Sequence, residues 1–485
     1  MKIPRVMSTQ HPDNVRLPFF AESPDMSGDD EVQEAYYAFS HLGCDEQMWD
    51  CEGKEVDNFV VRKLLTKYEY FFSQTKLGED VFLTLRVPNP DVEREEAKVL
   101  IETLESIPRS SDAAKLFYGR DKAPIFEIIL PMTTSAISLN RIYYYYKNFV
   151  VGKQNQLFFP GDINIAAWIG KFFPETINVI PLFETKEHQL EAHKIIGEYL
   201  KDKIIKHQRV FIARSDPAMN YGMISAVLCN KIALQRLRNL SEDLGVKIYP
   251  ILGVGSAPFR GHLKPETVDM ILDEYPDVQT FTIQSAFKYD NPVSSVISAI
   301  NKLKNSQMRD GRVIDEERGI VIINKVEKEY KKIIKHIAPL INYVASFVPK
   351  RRMRKLHIGL FGYPREVEGI KLPRVISFCA VCYSIGLPPE IFGLNSLSEE
   401  DIQYLKEVYP SLTFDIQTAM SYFNEEIFSL LPDEVKNLIK IDWEYETNIE
   451  HREITSRIIR TLKEGKKLDI QTMIVEAAHI RRFLG

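Results

Sequence analysis

Along the 485-residue chain, short apolar runs alternate with longer stretches in which apolar positions recur every three or four residues. The short runs are DVFLTLRVP (80–88), APIFEIILP (123–131), INVIPLF (177–183), RVFIARS (209–215), KIYPILGV (247–254), VQTFTIQS (278–285) and KLHIGLFG (355–362). Each is dense in Ile, Val, Phe and Leu, as strands covered on both faces of a parallel sheet are. Segments such as QLEAHKIIGEYLKDKI (189–204) and ISAVLCNKIALQRLRNL (224–240) are long enough for crossover helices. Strand and helix alternating over this length predict an α/β fold with a parallel sheet. Seven runs are legible, and an eighth is expected near the N-terminus or in a segment without a clear pattern. Eight close a (β/α)8 barrel; an open doubly wound sheet is the alternative. Residues 400–485 are helix-rich by pattern and are expected to pack on the barrel or on a neighbour. NKVEKEYKKIIKHI (324–337) reads as an amphipathic surface helix, PKRRMRK (349–355) as a solvated basic face, and YYYY (143–146) as a packing or interface cluster.

Composition narrows the class without changing this picture. Hydrophobic residues at 45% and charged residues at 27% exclude a disordered chain, a fibrous repeat and a disulfide-stapled miniprotein. Against 62 basic stand 67 acidic residues, so the net charge is −5 and no basic field is available for nucleic acid. Five cysteines, odd in number and scattered, suit a reducing compartment. Cys379 and Cys382 form a C-x-x-C inside the apolar run VISFCAVCYSIG and read as core thiols. His41, Cys44 and Cys51 match no standard zinc spacing. The opening MKIPRVMSTQHPDN lacks the apolar stretch of a signal peptide, and no apolar run reaches about 18 residues. A cytoplasmic protein with no membrane or nucleic-acid partner is expected.

The strand ends carry the chemistry. Arg86 follows FLTL, Thr133 and Thr134 follow IILPM, Glu184 follows IPLF, and Asp216 follows FIARS. Arg260 trails ILGVGSAPF, Gln284 sits in FTIQ, and Arg365 follows GLFGYP. A barrel gathers the carboxyl ends of its strands at one mouth, where catalytic residues sit. Glu184 and Asp216 offer hard oxygen ligands on neighbouring strands, suited to Mg²⁺ or Mn²⁺ with water and substrate oxygens. Arg260, Arg365 and Arg374 add planar guanidinium forks suited to phosphate and carboxylate. A metal facing several arginines points to a small polyanionic substrate. GVGSAPFRG (253–261) has three glycines, which by themselves mark a turn as well as they mark a phosphate loop. His11, so close to a terminus, is no more than a solvated histidine on its own pattern.

PLFET (181–185), RSDPAMNYG (214–222), FRG (259–261) and LPRVISF (372–378), in that order, resemble phosphoenolpyruvate carboxylase. The opening MSTQHPDN and the modest length look like the short, archaeal-type branch of that family, and the likeness runs to the last residue. The resemblance implies a (β/α)8 TIM barrel with additional helices and a mostly helical C-terminal part, formed by residues 1–485 as a single elaborated catalytic domain. It implies metal ligation by Glu184 of PLFET and by Asp216, the counterpart of the aspartate in the family's SDSAKDAG. TQHPDN resembles the family's T-A-H-P-T, which carries the catalytic histidine, so the likeness raises His11 from idle to catalytic. Arg374 of LPRVISF and Arg260 of the FRG loop take catalytic arginine roles by the same likeness. Arg86, Gln284 and Arg365 take substrate-binding roles, through LTLRVPNP, FTIQSAFKY and IGLFGYPRE.

The implied activity is carboxylation of phosphoenolpyruvate by bicarbonate to oxaloacetate and phosphate, an anaplerotic CO₂ fixation feeding the tricarboxylic acid cycle, with Mg²⁺ or Mn²⁺ as cofactor. A homo-oligomer, commonly a tetramer, is implied as well. FRGHLKPE (259–266) is the expected loop to close over the mouth. Other readings are a different Mg²⁺-dependent barrel acting on phosphoenolpyruvate or a 2-oxo acid, and a non-catalytic barrel subunit. LGVGSAPFRG (252–261) lacks the His and first Arg of the family's longer H-G-R-G-G-x-x-G-R-G-G loop, Met219 replaces a lysine, and AAHIRRFLG (477–485) lacks the tail asparagine. Feedback by aspartate or malate therefore loses its usual sequence basis, and the several hundred residues by which the chain is shorter than the larger family members remove that of activation by acetyl-CoA.

Overall fold

The computed structural model describes residues 2–51, 57–353, 366–367, 369–439, 442–467 and 469–485. Eight parallel strands close a barrel in chain order: β1 (Val6–Ser8), β2 (Glu46–Asp50), β3 (Phe82–Arg86), β4 (Glu127–Leu130), β5 (Asn178–Phe183), β6 (His207–Ala213), β7 (Lys247–Gly253) and β8 (Thr280–Ile283). β8 returns to β1 through Val6↔Phe281, Met7↔Thr282 and Ser8↔Ile283, which leaves no edge strand. The closed barrel replaces the open-sheet alternative.

Two strands differ from the sequence expectation. The barrel is completed by β1 and β2; the run KLHIGLFG (355–362) and Arg365 lie outside the described residues. β1 is three residues long and β2 reads EQMWD, so neither shows an apolar run. The polarity of β2 has a structural cause. Glu46 of β2, Glu127 of β4, Arg209 of β6 and Thr280 of β8 meet in one layer of the barrel interior. Arg209 donates to Glu46 at 2.8 and 2.7 Å, to Glu127 at 2.9 Å and to Thr280 at 3.2 Å. Alternate strands of such a barrel supply each interior layer. Met7, Met48, Ile129, Ile180, Leu182, Phe211, Ala213 and Ile251 form a separate apolar cluster contributed by β1, β2, β4, β5, β6 and β7.

Outside the strands, helix Met223–Leu244 packs against helix Lys186–Leu200 on one side and helix Glu316–Ala345 on the other. Around it a second apolar core takes in helices Val375–Ser384, Glu399–Val408, Leu412–Met420, Ile449–Lys463 and Ile470–Arg481. The helix-rich C-terminal part thus rests on the barrel's own helices. Helix Glu316–Ala345 starts where the Asp315 side chain accepts from Arg318 N–H at 3.1 Å, and it buries Ile322, Val326, Tyr330, Ile333, Ile337 and Ile341 along one face. That face accounts for the amphipathic pattern of 324–337. Arg352 departs from the solvated basic face expected of 349–355. It is buried, and it binds Glu34 through two contacts of 2.7 Å and Glu31 at 3.2 Å. A cation inside the fold needs such partners. All five cysteines are buried outside any disulfide among the described residues, and burial pushes the Cys44 and Cys229 thiols up to about 12, as core thiols behave. Among the described residues no single helix is long and apolar enough to cross a membrane.

The charged layer generates a stability prediction. Arg209→Ala leaves two buried carboxylates without their cation and is expected to destabilise the protein by about 3–5 kcal/mol. Thermal or denaturant unfolding of the variant checks this; a midpoint equal to that of the parent contradicts it.

Candidate active site

Beyond β1 the chain turns through Thr9, Gln10, His11, Pro12 and Asp13 at the carboxyl end of the barrel. Two backbone N–H groups, of Asp13 and Ser285, donate to the His11 carbonyl at 3.1 and 3.2 Å, so the loop is tied to the end of β8. Lys288, fully buried, donates to the Thr9 carbonyl at 2.8 Å, to Ser8 Oγ at 3.1 Å and to Glu34 at 2.9 Å. The Thr9 hydroxyl lies 2.9 Å from His11 Nδ1 and 3.4 Å from the Ile283 carbonyl. A hydroxyl has one hydrogen, so meeting both contacts at once requires it to donate to the carbonyl and accept from His11 Nδ1–H. That arrangement leaves Nε2 as the basic nitrogen of His11.

Arg260 joins this loop to three other segments. Its Nη1 contacts Asp13 Oδ2 at 3.2 Å and the Gly485 main-chain oxygen at 2.6 Å, Nη2 donates to Gln284 Oε1 at 2.5 Å, and Nε donates to Ser215 Oγ at 3.3 Å. A guanidinium carries five N–H donors, and these contacts use four. Arg260 is therefore chiefly an organiser of the mouth, with at most one donor left over for a substrate. Burial pushes the Asp13 carboxyl up, and the Arg260 charge opposes that shift. Asp13 Oδ1 also accepts from Ala286 N–H at 2.7 Å. Gly255 packs against the guanidinium so closely that a Cβ there would sit 2.9 Å from Arg260 Cζ.

The loop carrying Arg260 is not the exposed flap expected of 259–266. From Val254 to Lys264 every residue is buried. Glu390 accepts from Phe259 N–H at 2.6 Å and from the Tyr383 hydroxyl. His262, with a left-handed φ of 59°, contacts Asp415 at 2.5 Å, and its carbonyl accepts from Thr267 at 2.5 Å. Residues from the C-terminal helices thus clamp the loop from above, and a segment held by this many buried contacts does not suit a closing lid.

Glu184 follows β5 and accepts from Met132 N–H at 2.6 Å. Met132 holds a left-handed φ of 48°, unusual for a side-chain-bearing residue, and Asn89 fixes it by donating to the Pro131 and Met132 carbonyls at 2.8 and 3.0 Å. Asp216 stands in the first turn of the short helix Ser215–Tyr221 after β6, next to the Ser215 that binds Arg260. β5 and β6 pair through Leu182↔Phe211 and Phe183↔Ile212, so the two acids rise from adjacent strands. At the end of β3, Arg86 contacts Asp50 of β2 at 3.2 Å, and Asp50 N–H donates to Gln10 beside His11. Arg374 caps helix Val375–Ser384, which packs on the helix of Asp216; the Cys379 thiol, raised first by burial, also feels the Asp216 charge.

His11, Arg260 and Gln284 are thus linked by hydrogen bonds, with Asp216 one residue from the network. Glu184 and Arg86 sit on the same rim, Arg374 joins through its helix, and Arg365 lies outside the described residues. Sequence reasoning passed over Thr9, Asp13, Lys288 and Asp50. Three of them lie inside segments that carried weight, TQHPDN and FTIQSAFKY, but a buried ion pair has no periodic signature. Among the described residues no group of three or more His, Cys, Asp or Glu is arranged to hold a metal. Two carboxylates on neighbouring strands nonetheless fit Mg²⁺, which takes one or two protein carboxylates and fills its remaining positions with water and substrate oxygens.

A family model described as phosphoenolpyruvate carboxylase matches residues 3–485. Proteins named phosphoenolpyruvate carboxylase are similar over the full length of both chains: 56% identical in Methanothermobacter thermautotrophicus and 54% in Methanospirillum hungatei. The one from Halobacterium salinarum is 46% identical, across all of this chain and 99% of its own.

Two predictions arise from this geometry. Thr9→Val removes the contact that orients His11 and is expected to lower turnover about tenfold, the worth of about 1.4 kcal/mol, and to displace the acidic limb of the pH–rate profile, where the accepting imidazole becomes protonated. Thr9→Ser restores both; a Thr9→Val profile superimposable on the parent's contradicts the role. The second concerns Glu390, whose carboxyl burial pushes up to about 7. Its folded form keeps a proton that the unfolded form loses above about 4.5, so stability falls as pH rises from about 4.5 to 7. Glu390→Gln is expected to flatten that part of the melting temperature against pH curve, and an unchanged slope contradicts it.

Proposed function

The chain belongs to the phosphoenolpyruvate carboxylase family, and on that premise we propose that it carboxylates phosphoenolpyruvate with bicarbonate, giving oxaloacetate and phosphate at the mouth just described. The observation that carries the reading is the convergence of the His11 loop, the Arg260–Gln284 pair and the two acids Glu184 and Asp216 on one barrel rim, in the order the family's motifs follow. Members of the family are generally dependent on a divalent metal; here Glu184 and Asp216 are the residues we assign to hold Mg²⁺ or Mn²⁺. Such an ion supplies charge neutralisation for phosphate and enolate oxygens.

The chain's own residues do the rest. A bicarbonate oxygen attacks phosphorus and the bond from phosphorus to the enol oxygen breaks, giving carboxyphosphate and the enolate of pyruvate. His11, its Nδ1 engaged by Thr9, accepts at Nε2 the proton that carboxyphosphate must lose before it splits into CO₂ and phosphate. The enolate carbon then adds to CO₂. Arg374, Arg365 and Arg86 bind phosphate and carboxylate oxygens, and their positive charge follows the charge as it moves from substrate to product. Arg260 acts mainly by positioning Asp13, Gln284 and Ser215 around the reacting groups. The buried rim limits access of water to the enolate, which water would otherwise protonate to pyruvate.

The proposal treats residues 1–485 as one catalytic unit, since the site draws on groups from Thr9 to Gly485. It places the enzyme in the cytoplasm, in keeping with five cysteines outside any disulfide among the described residues, and makes it a homo-oligomer, with a tetramer as the family's usual form. Bicarbonate-dependent oxaloacetate formation, coupled to malate dehydrogenase with Mg²⁺ present, tests the reading. Oxaloacetate that requires bicarbonate is the expected result, and no product, or product independent of bicarbonate, overturns it. Asp216→Ala is expected to fold and to lose roughly 10²–10³-fold in activity; full activity in that variant overturns the metal assignment alone.

A further inference from the structure

Between the helix Ala136–Tyr145 and β5, the chain forms an arm whose packing is inverted. From Gly152 through Phe173 no residue is buried. Yet the arm carries Leu157, Phe158, Phe159, Ile163, Trp168, Ile169 and Phe173, each 37–69% exposed. It is nevertheless a formed element. Leu157 and Asn164 pair as an antiparallel bridge, Ile165 N–H donates to the Gln156 carbonyl at 3.1 Å, and Asn164 caps the short helix Ile165–Ile169. Phe158 and Trp168 meet edge to face at 5.2 Å. At the base, Phe172 N–H donates to Gln154 at 3.0 Å, and the buried Tyr146 donates to the Pro174 carbonyl at 2.9 Å. On the preceding helical segment, Ile137, Tyr144 and Phe149 are exposed too.

We propose that this arm, with the exposed face of the preceding helix, is the surface through which a second copy of the chain docks. The exposed apolar area of these ten side chains is on the order of 1,000 Å², given 150–250 Å² for each aromatic when fully buried. The largest patch on a typical monomer is about 300–600 Å², and a stable interface needs about 800 Å² from each partner. A two-fold pairing uses the same patch on both partners, so the aromatic arm of one copy covers the helix face of the other. The arm enters β5 at its amino end, opposite the rim of Glu184 and His11, so docking there leaves the mouth open.

This deepens the homo-oligomer reading above, and the test separates the two. Sedimentation velocity on the full chain at micromolar concentration is expected to show an oligomer. F159E/W168E is expected to halve its mass or reduce it further, with an unchanged far-ultraviolet circular dichroism spectrum. A monomeric parent overturns both readings, whereas an oligomeric parent with a variant of equal mass overturns only the assignment of this surface. Should the double variant aggregate, Trp168→Ser is read instead: the concentration at which the oligomer dissociates is expected to rise tenfold or more, and no change overturns the assignment. Vesicles of phosphatidylcholine and phosphatidylserine serve as control, because co-flotation of the parent but not of the variant overturns the proposal in favour of a lipid surface.

Discussion

A buried guanidinium imposes a constraint that few other side chains can: its fork is planar and rigid, and its charge must be matched wherever it sits. Arg260 imposes that constraint on four stretches of chain that are distant in sequence, namely the loop after β1, the helix after β6, the end of β8 and residue Gly485. Because each partner must lie in the guanidinium's donor directions, the mouth of the barrel assumes one shape only when the C-terminal helices are in place. Leu484 N–H, which donates to the Asp13 carbonyl at 2.7 Å, adds a second tie between the same regions. The rim of the barrel is thus a joint product of the strands and the C-terminal helices.

The barrel interior separates two kinds of charge. At one level Arg209 pairs with both Glu46 and Glu127, sealed from water in a structural layer with no room for chemistry. An apolar cluster built around Met48, Ile129 and Phe211 occupies the same interior. At the carboxyl end the polar groups belong to loops and helix starts, where Glu184 accepts from Met132 N–H and Asp216 stands in the first turn of its helix. Those contacts carry strain as well: Met132 and His262 both adopt left-handed backbone conformations beside the site. Such conformations persist only where surrounding contacts over-determine them, as Asn89 and Asp415 do here.

The fold was legible wherever a strand is covered by apolar neighbours on both sides. β3 to β8 fall within runs of Ile, Val, Phe and Leu, and their spacing alone implied crossover helices. β1 and β2 were not legible, because one is too short for a pattern and the other, EQMWD, gives Glu46 to the charged layer and ends on Asp50. Among the site residues, Glu184, Asp216 and Gln284 were visible as polar residues at strand ends, and His11 only through its likeness to a family motif. Asp13, Lys288 and Glu390 were invisible, since each earns its place through a partner distant in sequence. The basic run around Arg352 misled for the same reason: Glu31 and Glu34 are more than 300 residues away.

By itself the sequence determined the alternation of strand and helix, the family, and the acids and arginines placed where strands end, because these depend on local composition and short-range order. Tertiary structure alone decided that Arg260 spends four donors on protein contacts, that the FRG loop is clamped and not a flap, and that residues 152–173 stand out from the fold with their apolar side chains uncovered. The physical reason is common to all three. Burial, charge pairing and exposure are properties of neighbours in space, and a linear pattern records a residue's chemistry without recording what lies against it.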